Sequence, residues 1–269
     1  MGHDISQQAA IKEAADRLLE AYATHRPADP IRTLIGASDI GAAYEVQQWI
    51  IASRVEAGAA VVGRKIGITS EAVMRQVGVD QPDFGVLLDE MQYADGEVIP
   101  YDSLLQPRAE VEVAFVLDAD IESDCDRDAL RSAVAYASPA IEIVDSRVRD
   151  WDITIADSVA DNASSGAFVL GNARLTLDEF EPKAVTMSLI GDGEELSSGV
   201  GAACLGDPLN ALAWLAATAL DLGSPLRAGD IILSGALGPL APINPGQTLT
   251  ATITSLGTVT AKFSQGGTE

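Results

Sequence analysis

Apolar residues recur mainly at helical spacing in the first 60 residues of this chain. From Val61 onward they come in short runs separated by turn residues. In the first stretch, Ile11, Ala14, Ala15, Leu18, Leu19 and Tyr22 line one face of a predicted helix over 5–24. Pro27 and Pro30 then punctuate a loop. Ser38 serves as the N-cap of a second predicted helix, through Tyr44, Val46, Trp49, Ile50 and Val55, with Gly58 just past its end. Beyond Val61, the runs VVGRKIGI, VEVAFVL, AIEIVD, AFVLG, AVTMSLI, DIILSG, LTATIT and VTAKF read as strands. Three helices interrupt them. One starts at about Ser70 with Glu71 in its first turn, and one lies at about 126–136. The third starts at Asp207-Pro208, an N-cap followed by proline at the first helical position, and carries Leu209, Leu212, Trp214 and Leu215. Helices first and mostly β structure afterwards predict an α+β fold, not an alternating βαβ one. The expected division is a helical segment over 1–60 and a β-rich domain over 61–269, joined as one structural unit. A chain of 269 residues is long enough to bury a substantial core in this way.

Several function classes are disfavoured. The net charge of −23 repels phosphate backbones and anionic membranes, so neither nucleic acid nor membrane is an expected partner. Its ordinary consequence is solubility. No run of about 18 apolar residues is present, and the N-terminus lacks the apolar region of a signal peptide, so a cytoplasmic location is expected. There is no GxGxxG after a strand and no GxxxxGK[ST], and Gly199-Val-Gly201 reads as a turn. The only histidines are His3 and His25, which leaves little for a Ser-His-Asp triad or a His-ligated zinc. Cys125 and Cys204 form no CxxC and suggest no disulfide framework. A metal in this chain would be held by oxygen, which favours Mg²⁺, Mn²⁺ or Ca²⁺.

The strongest chemical feature is Pro107-Arg108-Ala109-Glu110-Val111-Glu112-Val113 and its apolar continuation to Leu117. On a strand, Glu110 and Glu112 share one face while Val111 and Val113 share the other. Glu142 sits in a second apolar run, Ala140-Ile141-Glu142-Ile143-Val144. Burying three unpaired carboxylates is prohibitive, and a bound divalent cation would remove that cost. The competing reading is an exposed sheet face with incidental glutamates. Lys65, in Gly63-Arg64-Lys65-Ile66-Gly67, is either a group that binds a carboxylate or stabilises an enolate, or a surface lysine on an edge strand. Asp83, in Gln81-Pro82-Asp83-Phe84-Gly85, is either a general acid/base on a loop or a turn-forming aspartate. The stretch Val159-Ala160-Asp161-Asn162-Ala163-Ser164-Ser165-Gly166 offers hydroxyls and backbone N–H groups to an oxyanion, or is simply a polar loop.

Six ordered segments carry a more specific signal: GRKIGITSEAVMRQVGVDQPDFGVLLDEM, LQPRAEVEVAFVL, PAIEIVDSRVRDW, DSVADNASSG, CLGDPLNALAWLA and PLRAGDIILSGALGP. Together they resemble the hydratase/decarboxylase branch of the fumarylacetoacetate hydrolase superfamily, over residues from about 61 to 247. The resemblance implies a rolled mixed β-structure of the fumarylacetoacetate hydrolase C-terminal type holding a divalent metal, Mg²⁺ or Mn²⁺, at its mouth. It implies Glu110, Glu112 and Glu142 as metal ligands, Lys65 and Asp83 as catalytic groups, and Ser164 or Ser165 as a substrate contact. It also implies a homo-oligomer, often of ten subunits, and association with pathway enzymes. Within the branch, DQPDFG, LQPR and ADNASSG resemble the pentadienoate hydratases, which act on small 2-hydroxy-dienoic or 2-keto acids. The 4-oxalocrotonate decarboxylases more typically have His-Pro-Lys where this chain has Gln106-Pro107-Arg108, and a threonine where it has Gly166. Decarboxylation, a non-catalytic partner of such an enzyme and a binding module remain the alternatives. Asp207, where the branch leads one to expect histidine, reads as a helix cap.

Overall fold

The computed structural model describes residues 5–70, 74, 79, 81–123 and 126–267. Residues 5–56 build three helices: α1 (Ile5–Thr24), the single turn α2 (Arg32–Ile35) and α3 (Ile40–Glu56). The apolar stripe of α1 is buried as its spacing predicts, with Ile11, Ala14, Ala15 and Leu18 inaccessible to solvent. It packs with Ala42, Ala43, Val46 and Ile50 of α3 and with Val148, Ala156, Val159 and Ala160 from much later in the chain. The N-terminal segment thus shares its core with the domain that follows. The cap of α3 is Asp39, not Ser38. Its carboxylate accepts from Ala42 N at 3.0 Å, and a charged acceptor suits the exposed N–H groups of a helix start.

The remaining chain forms β1 (Val61–Gly67), β2 (Asp83–Leu88), β3 (Gln92–Tyr93), β4 (Val98–Ile99), β5 (Arg108–Leu117), α4 (Arg127–Ala133), β6 (Val134–Val144), α5 (Ile155–Ala160), β7 (Ser165–Leu170), β8 (Thr186–Gly191), β9 (Glu194–Val200), α6 (Pro208–Asp221), β10 (Ile231–Leu233), β11 (Ala241–Pro242), β12 (Thr248–Ile253) and β13 (Gly257–Phe263). The larger sheet runs β2-β1-β10-β5-β6-β7-β3, with β11 also on β5. The smaller runs β4-β13-β12-β8-β9. Pairing is mixed: β1 with β10, β3 with β7 and β4 with β13 are parallel, and the rest are antiparallel. The main core includes Val111, Val113, Phe115, Ile141 and Ile143 of the larger sheet, Leu189, Leu249, Ala251 and Val259 of the smaller one, and Leu209, Leu212 and Leu215 of α6. The stretch Gly201–Asp221 is the one helix among the described residues long and apolar enough to cross a membrane, yet half of it is buried inside the protein. Its cap is the expected one: Asp207 accepts from Leu209 N, with Pro208 in the first turn.

Three expectations are corrected. Gln81–Gly85 is not simply a turn. From Asp83 the chain is a six-residue strand, buried throughout, that pairs with β1 from Gly67↔Asp83 to Val61↔Leu88. The helix expected at 126–136 stops at Ala133, because Val134 opens β6 opposite Leu117 of β5. Gly199 and Val200 finish β9 and are not a turn; a Cβ on Gly199 would lie 1.9 Å from Leu237 O, so glycine permits a close backbone approach there. The helix expected from Ser70, with His3 and Cys125, falls outside the described residues or is described only in part.

Candidate active site

The alternation of β5 and β6 builds the centre of the site. Ala109, Val111, Val113, Phe115 and Leu117 face the core, so Glu110 and Glu112 point to the opposite face. The antiparallel register sets Glu110 directly across from Glu142, whose neighbours Ile141 and Ile143 also face the core. One oxygen from each of the three glutamates falls within 4.8 Å of the others. Glu112 and Glu142 are inaccessible to solvent. The exposed-face reading of these residues therefore fails.

β1 supplies Lys65 in the same way. Ile66 enters the core and Lys65 points to the other face, 3.1 Å from Glu142 Oε1 as a close ion pair and 2% exposed. The surface-lysine reading fails too. Burial pulls the Lys65 ammonium down, but the charges of Glu142, Glu110, Asp83 and Glu112 outweigh it and hold it above the usual lysine range. β2 brings Asp83 beside it. A Cβ on Gly67, the register partner of Asp83, would meet Asp83 Oδ1 at 2.2 Å, and Lys65 Nζ lies 3.5 Å from the same position. Asp83 Oδ2 accepts from Ser158 Oγ of α5 at 2.8 Å, while Oδ1 has no partner. Burial raises the Asp83 carboxyl above its ordinary value, against the lowering pull of Lys65 and Ser158.

Whether these residues suit a divalent metal is tested by their unused atoms. Glu112 Oε1 and Glu142 Oε2 are buried without a partner, and Glu142 Oε1 meets only the Lys65 ammonium among the described residues. The other Glu112 oxygen accepts from Gly235 N at 2.7 Å, which fixes the carboxylate's orientation. Burial, then the Glu142 charge, pushes Glu110 up to about 7; the same two causes, joined by Glu110, raise Glu112 well above its usual range. Three carboxylates held this way cost several kcal/mol apiece without a counter-charge. A divalent cation together with Lys65 balances them charge for charge, and an all-oxygen donor set is what Mg²⁺ and Mn²⁺ take. The residues fit such an ion.

A cavity of about 130 Å³ opens on this cluster. Lys65, Asp83, Glu110, Ser158 and Ser164 line its polar side, and Val144, Trp151, Ile153, Ile155 and Leu240 its apolar side. Ser165 is turned away: its Oγ donates to Asn162 O at 2.8 Å. Ser164 stands on a turn, Asn162–Ser164, whose residues have φ of 55°, 50° and 54°. Left-handed geometry at a non-glycine residue costs on the order of 1–3 kcal/mol and persists only where the surroundings enforce it. Here Asn162 pairs with Val86 through both ends of its amide, at 2.7 and 2.8 Å, and Asp145 N holds Ser164 O at 2.7 Å. Sequence reasoning missed Ser158 and the apolar wall; DSVADN carries no signal that its serine meets Asp83.

A larger cavity lies elsewhere. It is a groove of about 810 Å³ lined by Tyr44, Ile51, Val55, Arg64 and Leu222, with no carboxylate trio among the described residues. Chemistry, not volume, marks the site. Cys204 is buried and its thiol is pushed up to about 12, first by burial and then by Glu112, which argues against a thiolate nucleophile.

Comparisons with known proteins show the family and the fold. The family model described as fumarylacetoacetate (FAA) hydrolase C-terminal matches residues 64–264. A 2-keto-4-pentenoate hydratase of Burkholderia vietnamiensis is 50% identical over 262 residues, covering 97% of this chain and 100% of its own. The TodF product hydratase of Pseudomonas putida F1 is 48% identical, covering 97% and 98%. Among solved structures, the 4-oxalocrotonate decarboxylase of Pseudomonas putida G7, complexed with magnesium and adipate, superposes with a TM-score of 0.91 at 31% identity over 97% of this chain and 100% of that one. The chain belongs to the fumarylacetoacetate hydrolase family.

Proposed function

We propose that this protein is a metal-dependent hydro-lyase that converts 2-hydroxypenta-2,4-dienoate (2-keto-4-pentenoate) to 4-hydroxy-2-oxopentanoate, in the meta-cleavage degradation of aromatic compounds. The observation that carries the reading is the convergence of three carboxylates, with Glu112 Oε1 and Glu142 Oε2 buried and unpartnered, on a cavity shared with Lys65 and Asp83. The names of the relatives at 48–50% identity support hydration as the reaction.

In this reading Glu110, Glu112 and Glu142 would hold Mg²⁺ or Mn²⁺, which would supply Lewis acidity that stabilises the enolate. Lys65 adds a fixed positive charge beside the substrate's 2-oxygen and also stabilises the enolate. Asp83 shuttles the proton that leaves the 2-hydroxyl to C5, giving the α,β-unsaturated 2-keto acid. Its unpartnered Oδ1 then orients the water whose oxygen adds at C4, while the proton that this water loses passes to C3. Ser158 holds the other oxygen of Asp83, and Ser164 contacts the substrate. The apolar wall of Val144, Trp151, Ile153, Ile155 and Leu240 accepts the unsaturated tail and excludes bulk water. The reading includes a cytoplasmic homo-oligomer able to associate with pathway enzymes. Val55, Val61 and Leu222, each 44–49% exposed along one groove, support the oligomer.

The test is the ultraviolet absorbance of freshly generated 2-hydroxypenta-2,4-dienoate with purified protein, in Mg²⁺ or Mn²⁺ and then in EDTA, with products identified by mass. Metal-dependent decay with gain of one water is expected. No decay, or decay without hydration, overturns the reading. Release of CO₂ from 2-oxo-3-hexenedioate at a higher kcat/KM than hydration would make the protein a decarboxylase instead.

A further inference from the structure

Behind the turn that carries Ser164 lies a buried ion pair to which the proposed chemistry gives no task. Arg147 is 1% exposed and ranks among the largest fully buried side chains. Its Nε donates to Asp161 Oδ1 at 2.6 Å, its Nη2 to Asp161 O at 2.7 Å and its Nη1 to Ser165 O at 2.9 Å. Its own backbone N–H donates to Asp161 Oδ2 at 2.9 Å, so the carboxylate is engaged at both oxygens. The ring of Tyr22, from α1, covers the guanidinium at 4.4 Å.

The two carbonyls that Arg147 bonds belong to the residues on either side of Asn162, Ala163 and Ser164, all three left-handed and none of them glycine. Ala163 and Ser164 line the cavity. Arg147 lies outside that lining and instead borders a second pocket with Tyr22, Arg54 and Asp145. We infer that Arg147 is a positioning residue: its planar fork fixes the distance between Asp161 O and Ser165 O, and thereby holds Ala163 and Ser164 in the cavity wall. Lysine has the charge but not the fork, and it cannot bond both carbonyls and the carboxylate in one plane. Without the fork the turn relaxes toward right-handed geometry and Ser164 leaves the wall, whereas the carboxylate trio stands on β5 and β6 and is untouched.

The turnover arm of the test rests on the proposed hydration, and the exchange arm does not. In Arg147→Lys, Mn²⁺ affinity stays at the wild-type value while kcat falls about 100-fold, the scale of a 1 Å misplacement at a reacting centre. The Ser164 and Ser165 amides, which donate to Asp161 O and Asn162 O, exchange hydrogen faster than in the wild type, while the strand amides of β5 and β6 do not. Adding Ala163→Gly to Arg147→Lys, where glycine adopts a left-handed φ without penalty, recovers about tenfold in kcat. The double variant also serves if Arg147→Lys alone fails to fold. Unchanged exchange at Ser164 and Ser165 would overturn the inference. So would a loss of protection spread evenly over the protein, or a kcat defect that Ala163→Gly does not relieve. Should the wild type fail to hydrate the dienoate, the functional proposal falls, and the exchange pattern alone decides the role of Arg147.

Discussion

Glu110, Glu112, Glu142, Lys65 and Asp83 sit in otherwise apolar strands; burial raises the carboxyls of Glu110, Glu112 and Asp83, while the neighbouring carboxylates hold Lys65 charged. That makes the metal-free protein sensitive to pH. A carboxyl whose folded value is raised binds its proton more tightly when folded, so its ionised form is what folding resists. Glu110, raised from 4.5 to about 7, contributes stability to the metal-free protein that is fully present below about 4.5 and is lost as pH rises through 7. A cation that replaces the protons removes this loss. The melting temperature gained on adding Mg²⁺ is therefore expected to grow between about pH 5 and pH 8, with protons released on binding. Calorimetry in two buffers of different ionisation enthalpy checks both, and a pH-independent gain without proton release contradicts the assignment of the ligands. Ser158 gives a second prediction. Ser158→Ala removes the side-chain hydrogen bond to Asp83 Oδ2, worth about 1–1.5 kcal/mol. It is expected to lower kcat about tenfold with no change in Mg²⁺ affinity, as steady-state kinetics and metal titration would show.

At the scale of elements, the site is a product of pairing register. Alternation on β5 says that Glu110 and Glu112 share a face, and only the β5–β6 register sets Glu142 across from Glu110. The contact of β2 with the left-handed turn is equally specific. A Cβ on Gly85 would lie 2.4 Å from Asn162 O and 2.7 Å from Ser165 Oγ. Gly85→Ala must push β2 and the turn apart. It is expected to cost about 1–3 kcal/mol, and to lower the melting temperature by several degrees in a chain of this size. Differential scanning fluorimetry measures it, and an unchanged midpoint would mean that the turn yields without strain. The reading of Asp83 as part of a loop failed at this scale. Pro82 and Gly85 are turn residues by composition, but pairing with β1 buries all six residues from Asp83 to Leu88.

At the scale of the whole molecule, the helical N-terminus and the β-rich domain are joined by a common core, since α1 and α3 pack against Val148 and α5. Arg32 reinforces the joint: it pairs with the fully buried Asp157 of α5 at 2.7 Å. α3 also reaches the site's own walls, for Gln47 Nε2 donates to Phe84 O and Val159 O at 2.9 and 3.0 Å. We expect residues 61–269 alone to lose cooperative unfolding and metal-dependent activity together. A truncated chain with a sharp thermal transition and full turnover would show two independent domains.

The sequence by itself determined the class of the fold, the strands of its two sheets apart from β2, β9 and the shortest pairs, and the chemistry available, because period-2 and period-3.6 patterns and residue inventories are local properties. Glu110, Glu112, Glu142 and Lys65 were legible as carboxylates and a cation in apolar runs, an arrangement that only burial makes consequential. The tertiary structure decided which of the competing readings each one takes, which serine faces the cavity, and that Ser158 meets Asp83. It also decided that Arg147 bridges a turn of three left-handed residues. These depend on register and on contacts between positions 14–75 residues apart, from Arg147–Asp161 to Asp83–Ser158, and no local pattern encodes such a contact.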